Sequence, residues 1–270
     1  MAPLAAITWF PTIPAGTPWW LWLLCVIAAV LIIGIAKSGF GGGVAVVATP
    51  LFAVAMPTTD ALGILLPVLL AADIFAVAQH YKKASYRLLG WMWLGAAAGV
   101  LMATGVLVLV GQHNHLLERV LNLFVGGVCL AFVGVQLYRL CGGKIRGIPT
   151  GRRGGAIAGG AAGFVSTFTH AAGPIITIYL LERKTPKAAF VGTMAVFFLV
   201  LNVAKLPTFF ALHLIHSGTM VASIWLLPVV PVGAMLGLWM YKRVPEKPFT
   251  VIMYLAAAAA AGHMIYKGLG

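Results

Sequence analysis

The stretch Gly34-Ile35-Ala36-Lys37-Ser38-Gly39-Phe40-Gly41-Gly42-Gly43 interrupts a long apolar segment near the start of the chain. Successive glycines weaken a helix and leave backbone N–H groups without helical partners. Such backbone is tolerated at membrane depth only where protein buries it or a water-filled cavity receives it. The stretch therefore predicts a broken helix that resumes as a half-helix over Val44–Met56, whose N-terminus turns its partial positive charge into the protein.

The composition around this break indicates a lipid environment. Of the 270 residues, 61% are hydrophobic and only 9% are charged, which is too little polar surface for a soluble domain. Several apolar runs reach the length of about 20 residues that crosses a hydrocarbon layer of roughly 30 Å. Clear examples are Trp19–Ala36, Leu88–Val110, Val120–Leu140, Ala188–Leu212 and Met220–Tyr241. We therefore expect an all-α membrane protein in contact with a lipid bilayer.

The sequence repeats itself at an offset of 129 residues. Pro57 and Pro186 are separated by this distance, and so are Asp73 and Asn202. The second copy of the break is Ser166–Pro174, in which Pro174 suits the first position of the next half-helix. The chain is therefore predicted to divide into a first repeat at residues 1–141, a basic linker at 142–153 and a second repeat at 154–270.

The basic residues favour one orientation of the two halves. If each broken segment re-enters the membrane, each half has three true crossings and the halves face opposite ways. Then 14 of the 18 Lys and Arg residues share one side, which the positive-inside rule assigns to the cytoplasm. If each broken segment crosses instead, the bias nearly vanishes. The connections that carry the bias are 81–87, 139–153, 182–187 and 242–247.

We therefore predict two inverted repeats, each a broken, re-entrant helical hairpin followed by three transmembrane helices. Inverted repeats of this kind place the substrate site near the membrane midplane. The alternative is four spans in each of two parallel halves. It stays open because Trp19–Lys37 is long enough to cross the bilayer by itself.

The two breaks together form a candidate binding site for a small anion. Half-helix N-termini present N–H groups and partial positive charge, which suit a negatively charged ligand. Two such ends that meet across the pseudo-two-fold axis would hold the anion between them. The residues assigned to substrate binding are Lys37, Ser38, Gly41, Gly42, Gly43, Ser166, Thr167, His170, Gly173, Asn202 and Lys205.

Ionisable groups inside the spans are costly, at about 2.5–3.5 kcal/mol each on insertion scales, and so indicate function. Asp73 is the repeat counterpart of Asn202, and Lys205 lies one turn after Asn202 on the same helix face. We expect Asp73 to neutralise a lysine or to relay a proton during transport. The alternative for Asp73 is a purely structural ion pair with a lysine.

Other classes of function lack the residues that they need. Five acidic residues, without a Ser–His–Asp set or a carboxylate pair, argue against an enzyme. The histidine pairs have no acidic or cysteine ligands beside them, so we expect neither a metal nor a cofactor. The net charge of +13 lies in short connections, so nucleic acid is not an expected partner. The oligomeric state stays open, with a homo-oligomer as one option.

The chain resembles the sulfite exporter TauE/SafE family of bacterial membrane proteins. The resemblance rests on Gly34-x4-Gly39-Phe40-Gly41-Gly42-Gly43 followed by Pro50, and on the degenerate copy Gly163-x9-Gly173-Pro174. The second copy has His170-Ala171-Ala172 where a fuller glycine run is expected. The resemblance implies a multi-pass protein of the bacterial inner membrane that exports sulfite, an organosulfonate or a related sulfur-containing anion.

We expect transport by alternating access, with the two hairpin tips around the anion. An anion channel is one alternative to this mechanism. An importer of a related sulfur-containing or carboxylate anion is another, because the direction of transport follows gradients and coupling rather than residue types.

Overall fold

The structure is a computed structural model, and it describes residues 18–38, 46–111, 114–143, 149, 151–243 and 246–269. These residues form eleven α-helices. In chain order they are α1 Trp19–Ser38, α2 Ala48–Ala55, α3 Thr58–His80, α4 Tyr86–Gly111, α5 Asn114–Leu140, α6 Arg152–Thr169, α7 Gly173–Glu182, α8 Lys187–Ala211, α9 Ser217–Leu226, α10 Val229–Arg243 and α11 Glu246–Leu269.

Long apolar helices confirm the all-α membrane class. Among the described residues, five helices are long and apolar enough to cross a membrane, and a bent pair makes a sixth candidate. The five are Trp19–Lys37, Thr58–Lys83, Tyr86–Gly111, Leu116–Arg139 and Lys187–Ala211. The chain is therefore a multi-pass membrane protein.

The two halves begin with similar helices. Each has a longer and then a shorter helix, which one long helix follows. The third helix of the first half, α3, and its counterpart α8 begin directly after Pro57 and Pro186. These two prolines have nearly the same backbone angles, with φ −56° and ψ 143° against φ −55° and ψ 142°. Proline suits this place because it fixes φ and ends the preceding segment.

The second broken segment folds as a hairpin. In the second half, His170 ends α6 in the left-handed region with φ 54°, and α7 begins at Gly173 with Pro174 in its first turn. The Tyr179 hydroxyl on α7 donates to the Gly151 carbonyl oxygen at 3.1 Å, next to the start of α6. The chain therefore returns to the end of the molecule at which α6 begins. Pro174 lies in the first turn of the second half-helix, as predicted.

In the first half, the described ends of α1 and α2 also lie near each other. Trp22 near the start of α1 and Met56 after the end of α2 line one small cavity. The half-helix expected over Val44–Met56 is observed as α2, Ala48–Ala55. The three glycines of the predicted break, Gly41, Gly42 and Gly43, lie outside the described residues.

Helices α3 and α8 cross antiparallel at the centre of the fold. Near one end, Gly192 on α8 lies against the His80 carbonyl and the backbone of Ala84. Near the other end, Gly63 on α3 lies against the Leu214 carbonyl that follows α8. Between these contacts, Asn202 reaches Asp73. Equivalent residues of the two halves therefore meet at the crossing point.

Small residues bring α4 and α6 into close contact. A Cβ atom at Gly99 would overlap the Gly160 carbonyl oxygen, and one at Gly159 would overlap the Met92 carbonyl oxygen. Interfaces between membrane helices use small residues in this way because the backbones gain van der Waals contact. This packing holds the second hairpin against the long helix α4.

The apolar run Met220–Tyr241 is bent rather than one straight helix. The chain forms α9 and α10 there, and the two helices are bent by 44° at a short break. Pro228 lies in the break and Pro231 in the first turn of α10. Neither proline has an N–H group for a helical hydrogen bond, which explains the interruption.

Candidate functional site

Lys37 and Asp73 form a buried ion pair beside the crossing of α3 and α8. The Lys37 ammonium contacts the Asp73 carboxylate, and its side chain is 17% exposed against 1% for Asp73. Lys37 also lies 3.4 Å from the Leu69 carbonyl oxygen. Asn202 donates from Nδ2 to the other Asp73 oxygen at 2.6 Å. The carboxylate is therefore held by one group from each half of the protein.

Lys205 lies fully buried one turn beyond Asn202 and has neutral partners only. Its ammonium donates to the Ser166 hydroxyl at 3.0 Å, to the Ser166 carbonyl at 3.2 Å and to His170 Nδ1 at 2.8 Å. An ammonium group has three N–H donors, so these acceptors satisfy its hydrogen bonds without neutralising its charge. Among the described residues, Lys205 has no carboxylate within ion-pair distance.

The hydrogen bonds of His170 fix the tautomer of its ring. Nε2 lies 3.2 Å from the Leu62 carbonyl oxygen, which only accepts, so Nε2 carries a proton. In the neutral ring Nδ1 is then an acceptor and receives the Lys205 bond. The left-handed backbone at the hairpin tip turns this ring toward Lys205. His170 lies where a fuller glycine run was expected from the family resemblance. It is therefore a hydrogen-bond partner of the buried Lys205.

The start of α2 and the end of α6 meet beside this cluster. The Thr49 hydroxyl in the first turn of α2 donates to the Thr169 carbonyl oxygen at 2.6 Å. Val46 and Val47, just before α2, share an apolar cluster with Ala171 from the second break. The residues just before α2 and those between α6 and α7 therefore lie together in one central region.

The predicted site residues divide into three groups by position. Six of them form two adjacent hydrogen-bonded groups that meet on α8 and together make the central cluster: Lys37, Asp73 and Asn202 in one, and Lys205, Ser166 and His170 in the other. Thr167 is buried and donates to the Gly163 carbonyl of its own helix at 2.8 Å, and Gly173 lies buried at the start of α7. Ser38 ends α1, and the structure does not describe its side chain; Gly41, Gly42 and Gly43 lie outside the described residues.

The cluster carries more positive than negative formal charge. Two lysines, Lys37 and Lys205, stand against the single carboxylate of Asp73, which Lys37 contacts directly. Asp73 and Lys37 both lie within electrostatic reach of Lys205. A small cavity of about 40 Å³, lined by Lys37, Gly34 and His80 among others, adjoins the ion pair. The arrangement suits a small anion, whose charge would balance the second lysine.

Several polar contacts do not follow from the sequence. His216 caps α9 through Nδ1, and its Nε2 lies 3.3 Å from an Asp60 oxygen. Glu118 accepts from the N–H groups of Thr58 and Thr59 at the start of α3. The offset of 129 pairs His216 with Arg87, but no spacing rule connects either to Asp60.

Apolar helices packed around a buried lysine–carboxylate cluster define a multi-pass membrane protein with a polar centre. Residues 26–264 match the family described as Sulfite exporter TauE/SafE, so the chain belongs to that family. It is a membrane transporter and not an enzyme, and its family implies export of sulfite or a related sulfur-containing anion. No curated protein and no solved structure gives a significant match.

Proposed function

We propose that this protein carries sulfite or a related small sulfur-containing anion out of the cell, and that the anion binds between the two hairpin tips. The observation that carries the proposal is Lys205, a fully buried lysine whose hydrogen-bond partners are all neutral. Ionisable groups are retained at membrane depth mainly where they serve a substrate or ion pathway. An anion that replaces one neutral acceptor would supply the missing negative charge.

The two halves are proposed to be inverted repeats, related by an axis in the membrane plane. The antiparallel crossing of α3 and α8 supports this, because the counterparts Asp73 and Asn202 meet at its centre. Helices α5 and α11, which hold corresponding places in the two halves, also contact each other, with Cys129 Sγ 3.7 Å from the Ala257 carbonyl oxygen. The hairpins then enter from opposite faces and re-enter the membrane. This arrangement is preferred over four parallel spans in each half.

Alternating access between two end cavities is the proposed mechanism. A cavity of about 500 Å³ lies at one end of α3, lined by Ser85, Tyr179 and Arg183 among others. Its counterpart at the other end has only about 20 Å³ and contains Asp60 and His216. The ends of α3 are about 34 Å apart at 1.5 Å per residue. One large and one small cavity at corresponding places support a carrier that opens to one side at a time.

The basic connections are proposed to face the cytoplasm of a bacterial cell, with the protein in the inner membrane. The larger cavity then opens to the cytoplasm. An inside-negative potential favours exit of an anion by about 2.3 kcal/mol per charge per 100 mV, which drives export without a coupling ion. The division into a repeat at 1–141, a linker at 142–153 and a repeat at 154–270 is part of this proposal.

Sulfite counterflow in proteoliposomes tests the proposed function. Vesicles loaded with unlabelled sulfite and diluted into a trace of labelled sulfite accumulate the label transiently if a carrier exchanges the two. A channel only equilibrates the label and gives no overshoot. We expect the label to overshoot in vesicles loaded with sulfite and not in vesicles loaded with chloride. If folded protein gives no overshoot with sulfite, the carrier proposal is refuted.

A further inference from the structure

The larger end cavity carries a cluster of arginines that the central site does not use. Arg87 precedes the membrane part of α4, Arg152 begins α6 and Arg183 follows α7, and all three line the cavity of about 500 Å³. That volume lies within the range of about 300–1,000 Å³ typical of small-molecule sites. The described lining contains no carboxylate.

Two further features adapt this cavity to an oxyanion. The Arg152 guanidinium lies over the Trp91 ring, 5.6 Å from its centre, which orients the planar donor group. Thr185 Oγ1 is buried, lines the cavity and has no hydrogen-bond partner among the described residues. A buried hydroxyl without a partner is uncommon in native structures and is explained when a ligand supplies one. Guanidinium and hydroxyl donors together match the oxygens of sulfite and sulfonates.

The repeat provides an internal comparison for this cavity. At the offset of 129, Arg87 corresponds to His216 and Thr185 to Met56. The small cavity at the other end contains these counterparts together with Asp60, a carboxylate. The arginine cluster and the unpartnered hydroxyl therefore belong to one end only. The duplicated fold alone does not account for them.

We propose that Arg87, Arg152, Arg183 and Thr185 form a second anion site, which loads the exported sulfur oxyanion on the basic side before it reaches Lys205. This inference rests on the proposed export function. Positive charge in a cleft raises the local concentration of an anion, and screening by salt weakens the effect. The volume also leaves room for the carbon chain of an organosulfonate beside its sulfonate group.

Calorimetric titration with sodium sulfite, on the whole protein in zwitterionic detergent, tests the loading site. We expect two binding steps in the wild type. Arg152→Gln/Arg183→Gln and, separately, the near-isosteric Thr185→Val should weaken one step at least tenfold. High salt should weaken that same step more than the other. Arg153→Gln is the matched control, because this neighbour of Arg152 is exposed and does not line the cavity.

The titration distinguishes a missing loading site from a missing central site. Lys205→Met should remove only the binding step at the central site and leave the step at the arginine cavity. Loss of that central step alone therefore tests the proposed function. If both cavity variants titrate like Arg153→Gln, the loading site is refuted and the central site stands. If phosphatidylglycerol in nanodiscs occupies the arginines, and sulfite in detergent gives no second step, the cavity binds a lipid headgroup and the loading proposal is also refuted.

Discussion

Asn202 Nδ2 lies 2.6 Å from Asp73 Oδ2, so two residues 129 positions apart, each the repeat counterpart of the other, are hydrogen-bonded to each other. The proposed two-fold axis would pass between them. The pair is chemically unequal, because the first half supplies a carboxylate and the second an amide. The cluster therefore has its carboxylate, Asp73, in the first half and the lysine with neutral partners, Lys205, in the second.

Removing the Asp73 charge should destabilise the protein through Lys37. Asp73→Asn leaves the partly buried ammonium without its carboxylate, and breaking a buried ion pair from one side costs about 3 kcal/mol. The double variant Lys37→Met/Asp73→Asn removes both charges and should recover most of the loss. Thermal unfolding in detergent of these two variants, of Lys37→Met and of the wild type completes a double-mutant cycle. The cycle gives the interaction energy between Lys37 and Asp73. Equal stability of Asp73→Asn and the wild type would show that the ion pair contributes nothing.

Replacing Lys205 should abolish transport while the protein stays folded. Lys205→Met removes the buried charge, and the groups left behind on Ser166 and His170 are neutral. We expect sulfite counterflow to fall at least tenfold with a cooperative melting transition retained. Lys267→Met is a matched control, because Lys267 also donates to a carbonyl, that of Ala53, at 3.2 Å but away from the cluster. Equal losses in the two variants would point to a general effect of lysine removal.

The contact of α4 with α6 should require Gly99, whereas Gly105 on the same helix should tolerate substitution. A Cβ at Gly99 would overlap the Gly160 carbonyl, whereas one at Gly105 meets nothing within 4 Å. Gly99→Ala should therefore destabilise by about 1–3 kcal/mol, as overpacking does. Gly105→Ala should be neutral or stabilise by up to about 1 kcal/mol through helix propensity. Thermal melts of the two variants compare the positions, and the reverse order would contradict the packing.

The contact between Asp60 and His216 should hold the smaller cavity closed. Asp60→Asn weakens this link, so Ala222, which is buried in the cavity lining, should become accessible. Maleimide labelling of Ala222→Cys, with and without Asp60→Asn, measures the opening. The exposed Cys141 is first replaced by serine. Labelling of Ala189→Cys in the larger cavity should fall at the same time, and a rise at both positions would contradict alternating access.

The exposed Cys141 reports the side of the linker directly. Cys25 and Cys129 are buried, so a membrane-impermeant maleimide should modify Cys141 alone. We expect labelling in inside-out vesicles and protection in intact spheroplasts, since the basic linker is assigned to the cytoplasm. Cys141→Ser controls for background. Labelling from the outside only would reverse the proposed orientation.

Much of the fold follows from the sequence because prolines mark where several helices begin. Prolines 57 and 186 start equivalent helices, and Pro174 starts α7, since proline fixes φ and lacks an N–H group. The repeat offset then pairs Asp73 with Asn202 without any knowledge of tertiary structure. The break between α9 and α10 was missed because Pro228 lies inside an apolar run whose mean hydropathy conceals it.

The partners within the site could be predicted only in part. The sequence places Lys205 one turn from Asn202 but does not tell whether Lys37 or Lys205 takes the Asp73 carboxylate. That choice depends on how α1 approaches α3, which local pattern does not encode. His170 joins Lys205 through a left-handed backbone, which non-glycine residues adopt uncommonly, so its orientation does not follow from the sequence. The arginine cavity likewise depends on three connections that converge only in the folded protein.

Anomalous diffraction from crystals soaked in selenite tests the central claim most directly. Selenite has the charge and pyramidal shape of sulfite, and selenium absent from the native protein marks its position. We predict an anomalous peak within hydrogen-bond reach of Lys205 Nζ, between the first turn of α2 and the His170 tip, that disappears in Lys205→Met crystals. A selenite peak confined to other parts of the protein, with none beside Lys205, would contradict binding between the hairpin tips.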